Sequence, residues 1–160
     1  MEFFQYLAPT KVIFGRGTEA RTGALCKEAG ATKVLIHYGG HSAKKSGLID
    51  RICASLQAEG ISYTELGGVV PNPRLSKVYE GIELGRKEKI DFILAVGGGS
   101  VIDSAKAIGY GLTNEGDVWD YYTGKAPQAC MPIGTVLTIA AAGSEMSNAS
   151  IITNENGWLK

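Results

Sequence analysis

The sequence predicts an α/β fold, a parallel sheet with helices on both faces, and three observations carry that prediction. Short apolar runs alternate with segments of helical periodicity in a βαβαβαβα rhythm from Val12 to Leu112, which implies right-handed crossovers between parallel strands. The run Phe92-Ile93-Leu94-Ala95-Val96 holds no charge, as a central parallel strand buried on both faces requires. Glycine makes up 22 of the 160 residues, close to twice the ordinary share of about 7%. These glycines gather at Gly15/Gly17, Gly39/Gly40, Gly67/Gly68 and Gly97 to Gly99, near the ends of predicted strands, and so read as ligand-facing turns.

The elements follow in order. Val12-Ile13-Phe14 reads as a short strand. Thr18 as a hydroxyl cap and Glu19 as an early acid start a helix through Ala20, Ala24, Leu25 and Ala29, which Gly30 stops. Lys33 to Tyr38 is the next strand, and Ile49, Ile52, Cys53 and Leu56 mark a helix ending at Gly60. Ile61 to Leu66 gives a third strand. After the loop Gly67 to Pro73, the positions Leu75, Val78, Tyr79 and Ile82 form an amphipathic helix leading to the Phe92 strand. The helix after Gly99 is apolar nearly all round, with Val101, Ile102, Ala105, Ala107, Ile108 and Leu112, and is expected to lie between other layers. Asn114 to Tyr122 reads as a loop or short helix, Ile133 to Leu137 as a strand, and Ala140 to Glu145 as a small-residue turn. Ile151-Ile152-Thr153 and Trp158-Leu159-Lys160 flank an Asn-Gly turn and read as a terminal β-hairpin. That hairpin ends without a cap, as the edge of a piece of a longer protein would.

Composition narrows the function classes. A chain of this length with 44% hydrophobic and 20% charged residues supports one globular domain, residues 1–160. Sixteen basic residues balance sixteen acidic ones, which removes the bulk attraction used in binding nucleic acid or anionic membranes. The amino terminus has no signal-peptide pattern and no window approaches the ~18 apolar residues of a membrane span, so a cytoplasmic protein is expected. Cys26, Cys53 and Cys130 are odd in number and far apart, and read as buried free thiols. Phe3, Phe4, Tyr6 and Leu7 form an apolar segment that needs cover.

The most informative stretch is Gly97-Gly98-Gly99-Ser100-Val101-Ile102-Asp103, which runs from a buried strand into an apolar helix. A helix start offers unpaired N–H groups and the positive end of the macrodipole, and glycines let a di- or triphosphate approach them. A tight turn explains the same glycines. Gly15-Arg16-Gly17-Thr18-Glu19-Ala20 also fits a GxGxxA fingerprint, yet that reading needs an acid at the end of the second strand, where the sequence has Tyr38-Gly39-Gly40-His41-Ser42. It is therefore read as a plain strand-to-helix turn.

Together with Pro71-Asn72-Pro73 and Ala142-Gly143-Ser144-Glu145, the Gly97 to Asp103 motif resembles the iron-containing (group III) alcohol dehydrogenases, most nearly their NADPH-dependent butanol dehydrogenase or aldehyde reductase branch. The resemblance runs from Phe14-Gly15-x-Gly17 to Lys160. It implies a Rossmann-like cofactor domain and a second, all-helical metal-binding domain that this chain lacks. By resemblance, Gly98, Gly99 and Ser100 contact a pyrophosphate, Asp103 meets the nicotinamide ribose, and Asn72 lies near the adenosine half. Thr138, Asn148 and Lys160 match further cofactor-lining positions. Read by themselves, Asp103 is an ordinary helix-start acid, Thr138 and Asn148 are turn residues, and Lys160 is a solvated end. NAD-preferring members carry an aspartate where this chain has Gly40 and Ser42; with Lys44 and Lys45 nearby, NADP is expected over NAD.

In the family, hydride passes between the nicotinamide and an alcohol or aldehyde substrate while a divalent metal, Fe or Zn, polarises the oxygen. The implied metal ligands are an aspartate and three histidines of the helical domain. Here His37 and His41 are the only histidines, and neither has a carboxylate in ligand spacing, so no metal and no turnover are expected from these residues alone. The resemblance also implies a homodimer through the amino-terminal edge, with a monomer left open. Gly116 to Tyr122 lines the substrate rim or packs as a surface loop. Three alternatives stand: the cofactor domain of a dehydroquinate synthase or glycerol-1-phosphate dehydrogenase, a non-enzymatic nucleotide-binding module, and a flavodoxin-like domain without a dinucleotide site.

Overall fold

Side chains alternate across a strand, so a strand buried on both faces must find a helical layer on each. The computed structural model, which describes residues 3 and 7–160, meets that demand with four parallel strands. They are β1 (Lys33–Gly39), β2 (Ser62–Val69), β3 (Phe92–Gly97) and β4 (Ile133–Leu137), in the order β2-β1-β3-β4. On one face Val34, Ile36, Tyr38, Phe92, Leu94 and Val96 pack under α1 (Thr22–Glu28), α2 (Ser42–Lys45) and α3 (Leu48–Ala58). On the other, Leu35, Ile93 and Ala95 pack under α4 (Leu75–Glu88) and α5 (Gly99–Thr113). β3 is buried along its whole length, as its uncharged sequence requires.

α5 carries burial on nearly all sides, including Val101, Ile102, Ala105, Ala107 and Ile108. It lies on β3 with α4 beside it on the same face and the turns at 118–122 and 144–146 against it, which accounts for its all-round apolar sequence. Trp119 and Tyr122 stack at 5.6 Å between ring centroids and pack on the same core, so the Gly116 to Tyr122 segment is a packed loop with a short 3-10 turn at Val118–Tyr122.

Several sequence expectations change. Val12-Ile13-Phe14 forms no strand: Val12 and Phe14 are exposed, and the segment pairs with neither outer strand of the sheet, β2 or β4. Thr18 caps no helix. Its hydroxyl donates to the Gly15 carbonyl (3.0 Å), and a 3-10 turn at Thr18–Arg21 precedes α1. β2 runs on to Val69 because Gly39 still pairs with it past a register shift. The terminal hairpin reduces to one antiparallel bridge between Asn154 and Leu159. Its first arm is diverted: the Thr153 N–H donates to Pro73 O (2.8 Å), Thr153 O accepts from Leu75 N–H (3.0 Å), and Trp158 at φ 55° breaks the second arm. Cys26 and Cys53 are buried free thiols, whereas Cys130 is an exposed residue whose sulfur alone turns inward beside Gly109. Phe3 and Leu7 are exposed, and Phe4 and Tyr6 lie outside the described residues. Among the described residues no helix is long and apolar enough to cross a membrane.

α1 and α3 approach closely at Gly23, whose N–H donates to Ser55 Oγ (2.9 Å). A Cβ built there would lie 2.0 Å from the Ser55 carbonyl oxygen, a backbone atom that cannot swing aside. Gly23→Ala is therefore expected to lower the unfolding free energy by about 1–3 kcal/mol in urea titrations, although alanine favours an isolated helix by about 1 kcal/mol.

Candidate functional site

The strand order creates one crevice. From β1 the chain leaves onto the face of α2 and α3, and from β3 it leaves into α5 on the opposite face, so the carboxyl ends of these neighbours part. Tyr38 pairs with Val96 at the top of the two strands, which sets Gly39-Gly40 beside Gly97-Gly98. Thr138, just past β4, joins the same edge by donating its N–H to Gly97 O (3.1 Å).

The glycines here divide by what a side chain would meet. A Cβ on Gly97 would lie 2.6 Å from Val101 Cγ2, and one on Gly98 would lie 3.3 Å from Ile139 Cγ2, so both serve internal packing. On Gly99 and Gly40 a Cβ would meet nothing within 4 Å. Gly98 is the N-cap of α5 in extended conformation, and no side chain caps that helix. The N–H groups of Gly99 and Ser100 cannot bond within the helix, and they face an open approach. Such a helix start can receive an anion, and the macrodipole of a 15-residue helix adds to that capacity.

α4 starts at the same edge yet is closed. Glu155 accepts from the Ser76 N–H (3.0 Å) and from Ser76 Oγ (2.9 Å), with Arg74 at 3.6 Å. The Ser76 N–H, first among the causes, holds the Glu155 carboxyl below the usual range. Of the two long helices α4 and α5, which both start at this edge of the sheet, α5 has no side-chain carboxylate on its first N–H groups.

The other residues singled out from the sequence flank the crevice. Gly40 and Ser42 lie past β1, both exposed, Ser42 opening α2. Asn72, at φ 57° in the loop after β2, accepts from Lys160 Nζ at 2.6 Å, so these two positions form one contact. Asp103, in the second turn of α5, accepts from Ser144 Oγ (2.6 Å), and the Asn148 carbonyl accepts from Tyr110 Oη (3.0 Å). Both thus belong to the β4 flank, where residues 143–150 lie on α5. Gly15 and Gly17 stand before a 3-10 turn with no strand leading in, which agrees with a plain turn. The charge expected from Lys44 is not free: its Nζ pairs with Glu65 at 3.1 Å and lies 5.3 Å from the centre of the Tyr38 ring.

Sequence reasoning passed over two parts of this arrangement, the Glu155 cap and Lys106. Lys106 is buried, and its Nζ donates to Ser144 O, Ser144 Oγ and Ala149 O. One sign of it was legible, a lone cation three residues after Asp103 in a helix otherwise apolar. His37, weighed as a metal ligand, is fully buried under α5. Its Nδ1–H donates to Leu66 O (2.9 Å), a carbonyl that can only accept, so Nε2 accepts from Ser104 Oγ (2.8 Å). Both ring nitrogens are engaged. Among the described residues no group of three or more His, Cys, Asp or Glu is placed to hold a metal ion.

Comparison with known proteins adds the family. The profile of iron-containing alcohol dehydrogenases matches residues 9–160. A probable NADH-dependent butanol dehydrogenase 1 of Bacillus subtilis is 50% identical over 99% of this chain and 42% of its own length. An NADPH-dependent aldehyde reductase of Escherichia coli is 35% identical over 97% of this chain and 40% of its own. The crystal structure of an NADH-dependent butanol dehydrogenase A from Thermotoga maritima superposes with a TM-score of 0.94 at 49% identity, covering 98% of this chain and 40% of that one. The chain thus spans about two fifths of the length of the relatives it matches.

Burial pushes the His37 imidazole down from its ordinary 6.5 to about 4. Between those values the unfolded chain holds a proton that the folded chain does not, so stability is full above about pH 6.5 and falls as pH drops toward 4. Denaturant titrations across that window are expected to show a slope of at most about 1.4 kcal/mol per pH unit from this group, absent in His37→Gln.

Proposed function

Because the chain belongs to the iron-containing alcohol dehydrogenase family, we propose that these residues form the nicotinamide dinucleotide-binding domain of a metal-dependent alcohol dehydrogenase that interconverts alcohols and aldehydes. The observation that carries the reading is the uncapped start of α5 at the β1/β3 crevice, with Gly99 open to approach. When bound, the dinucleotide supplies hydride transfer at its nicotinamide ring. The chain's own residues do the rest of the binding. The N–H groups of Gly99 and Ser100 hold the pyrophosphate, and Gly40 leaves the backbone at the β1 edge open to the adenosine half. Asn72 and Lys160 stand together on that flank, while Thr138 and Asp103 receive the nicotinamide half toward β4.

NADP over NAD is the finer reading. At the end of the strand beside the phosphate-binding strand, an NAD-selective site places a carboxylate that binds the ribose diol and repels a 2′-phosphate. This chain has Gly40, His41 and Ser42 there. The tie of Lys44 to Glu65 limits the positive charge on offer, so Gly40 and Ser42 carry the preference mainly by room and a hydroxyl. The relatives at 49 to 50% identity, of Bacillus subtilis and Thermotoga maritima, are named NADH-dependent and weigh against this preference, while the Escherichia coli relative named NADPH-dependent is 35% identical.

The described residues do not fit a catalytic metal, since no ligand cluster is formed and His37 is spent inside the fold. The 160 residues are expected to be inactive by themselves. The dehydroquinate synthase and glycerol-1-phosphate dehydrogenase alternatives have no observation in their favour beyond the shared type of cofactor domain.

Titration with NADPH is expected to shift the amide resonances of Gly99 and Ser100, and to give a lower dissociation constant than NADH; equal affinity, or tighter NADH, would overturn the NADP preference. Gly99→Val is expected to weaken dinucleotide binding at least tenfold while the urea midpoint stays near that of the parent, because the new side chain fills the cradle and meets no protein atom. Reduction of butanal with NADPH by the purified chain would contradict the expected inactivity.

A further inference from the structure

Lys106 is a cation at 7% exposure inside an apolar helix, and burying an ammonium is costly unless each proton is matched. Here all three are. Nζ donates to Ser144 O at 2.7 Å, to Ala149 O at 2.7 Å and to Ser144 Oγ at 3.1 Å. An ammonium can only donate and a carboxylate only accept, so the Ser144 hydroxyl, which accepts from Lys106, must spend its one proton on Asp103 Oδ1 at 2.6 Å. Lys106 thereby fixes the direction of the whole chain of bonds. Two more bonds hold the same segment down: Ser150 Oγ donates to Asp103 O (2.8 Å) and pairs with Tyr122 Oη (2.7 Å). Asp103 Oδ2 has no hydrogen-bond partner among the described residues.

We propose that Lys106 and Ser144 are positioning residues for dinucleotide binding. They lock the Asp103 carboxylate through one oxygen and leave the other for a ribose hydroxyl of the cofactor half that runs toward β4. The inference rests on the dinucleotide reading above. Its geometry is specific: α5 presents the phosphate-binding N–H groups at its first turn and Asp103 in its second, so one rigid helix sets the spacing between pyrophosphate and ribose. The loop 143–150, anchored by Lys106, supplies the hydroxyl that fixes the carboxylate's rotation.

ADP carries the pyrophosphate without the second ribose, so comparing it with NADPH separates positioning from plain structural damage. In calorimetric titrations, Ser144→Ala keeps both carbonyl bonds of Lys106 and removes the hydroxyl that accepts its third proton and tethers Asp103. It is expected to weaken NADPH about tenfold, with ADP affinity unchanged, and Ser144→Thr is expected to restore NADPH binding. Lys106→Met is expected to give the same selective loss and to raise amide exchange across residues 143–150. NADPH affinity unaltered in Ser144→Ala, or NADPH and ADP lost in equal measure, would overturn the positioning role; unchanged exchange in Lys106→Met would remove Lys106 from it. A parent chain that binds neither ligand overturns the dinucleotide reading itself, and the present inference with it.

Discussion

A helix that begins inside a protein leaves four N–H groups without partners, and something has to satisfy them. The start of α5 is the point on which the remaining architecture turns. No side chain caps it, Gly98 is extended, and Gly99 faces open space at the carboxyl edge of a fully buried strand. The contrast with α4 gives this weight. There the same need is met from within, by Glu155 on the Ser76 N–H and hydroxyl. A fold that closes one helix start with a carboxylate and leaves its neighbour bare keeps only the bare one able to take an anion.

Around that start, a few polar side chains tie neighbouring elements together. His37 sits neutral between Leu66 and Ser104 and joins β1 to β2 and α5 beneath the crevice. Lys106 joins α5 to residues 143–150, and Asn72 meets Lys160 on the far flank. Buried polar groups with defined partners rigidify their surroundings, because any shift leaves an unpaired donor or acceptor in a low-dielectric interior. The crevice is thus framed by elements that resist rearrangement, which suits a site whose ligand must be held at fixed spacing.

Much of this was legible in the chain. The uncharged run at Phe92 announced a central strand, and the all-round apolar helix after Gly99 announced burial on nearly all its sides, because burial leaves a compositional mark; its cover is α4 beside it and two short turns rather than a further layer. The open start of α5 was legible too, as glycine there reflects backbone geometry. Val12-Ile13-Phe14 and the terminal Asn-Gly hairpin misled because apolar content signals a need for cover without naming the partner. A strand exists only where another strand accepts its hydrogen bonds, and Thr153 found Pro73 and Leu75 instead.

The sequence by itself determined the alternation of strand and helix, the glycine-rich edge and the absence of an acid at Gly40 to Ser42, all of which follow from local periodicity and residue chemistry. Tertiary structure alone decided which glycines are open and which are packed, that Glu155 closes α4, that Glu65 draws Lys44 aside, and that Lys106 reaches residues 143–150. The last three depend on partners 21 to 79 residues away along the chain. Local pattern encodes which face a residue turns inward; it does not encode which distant atom meets it there.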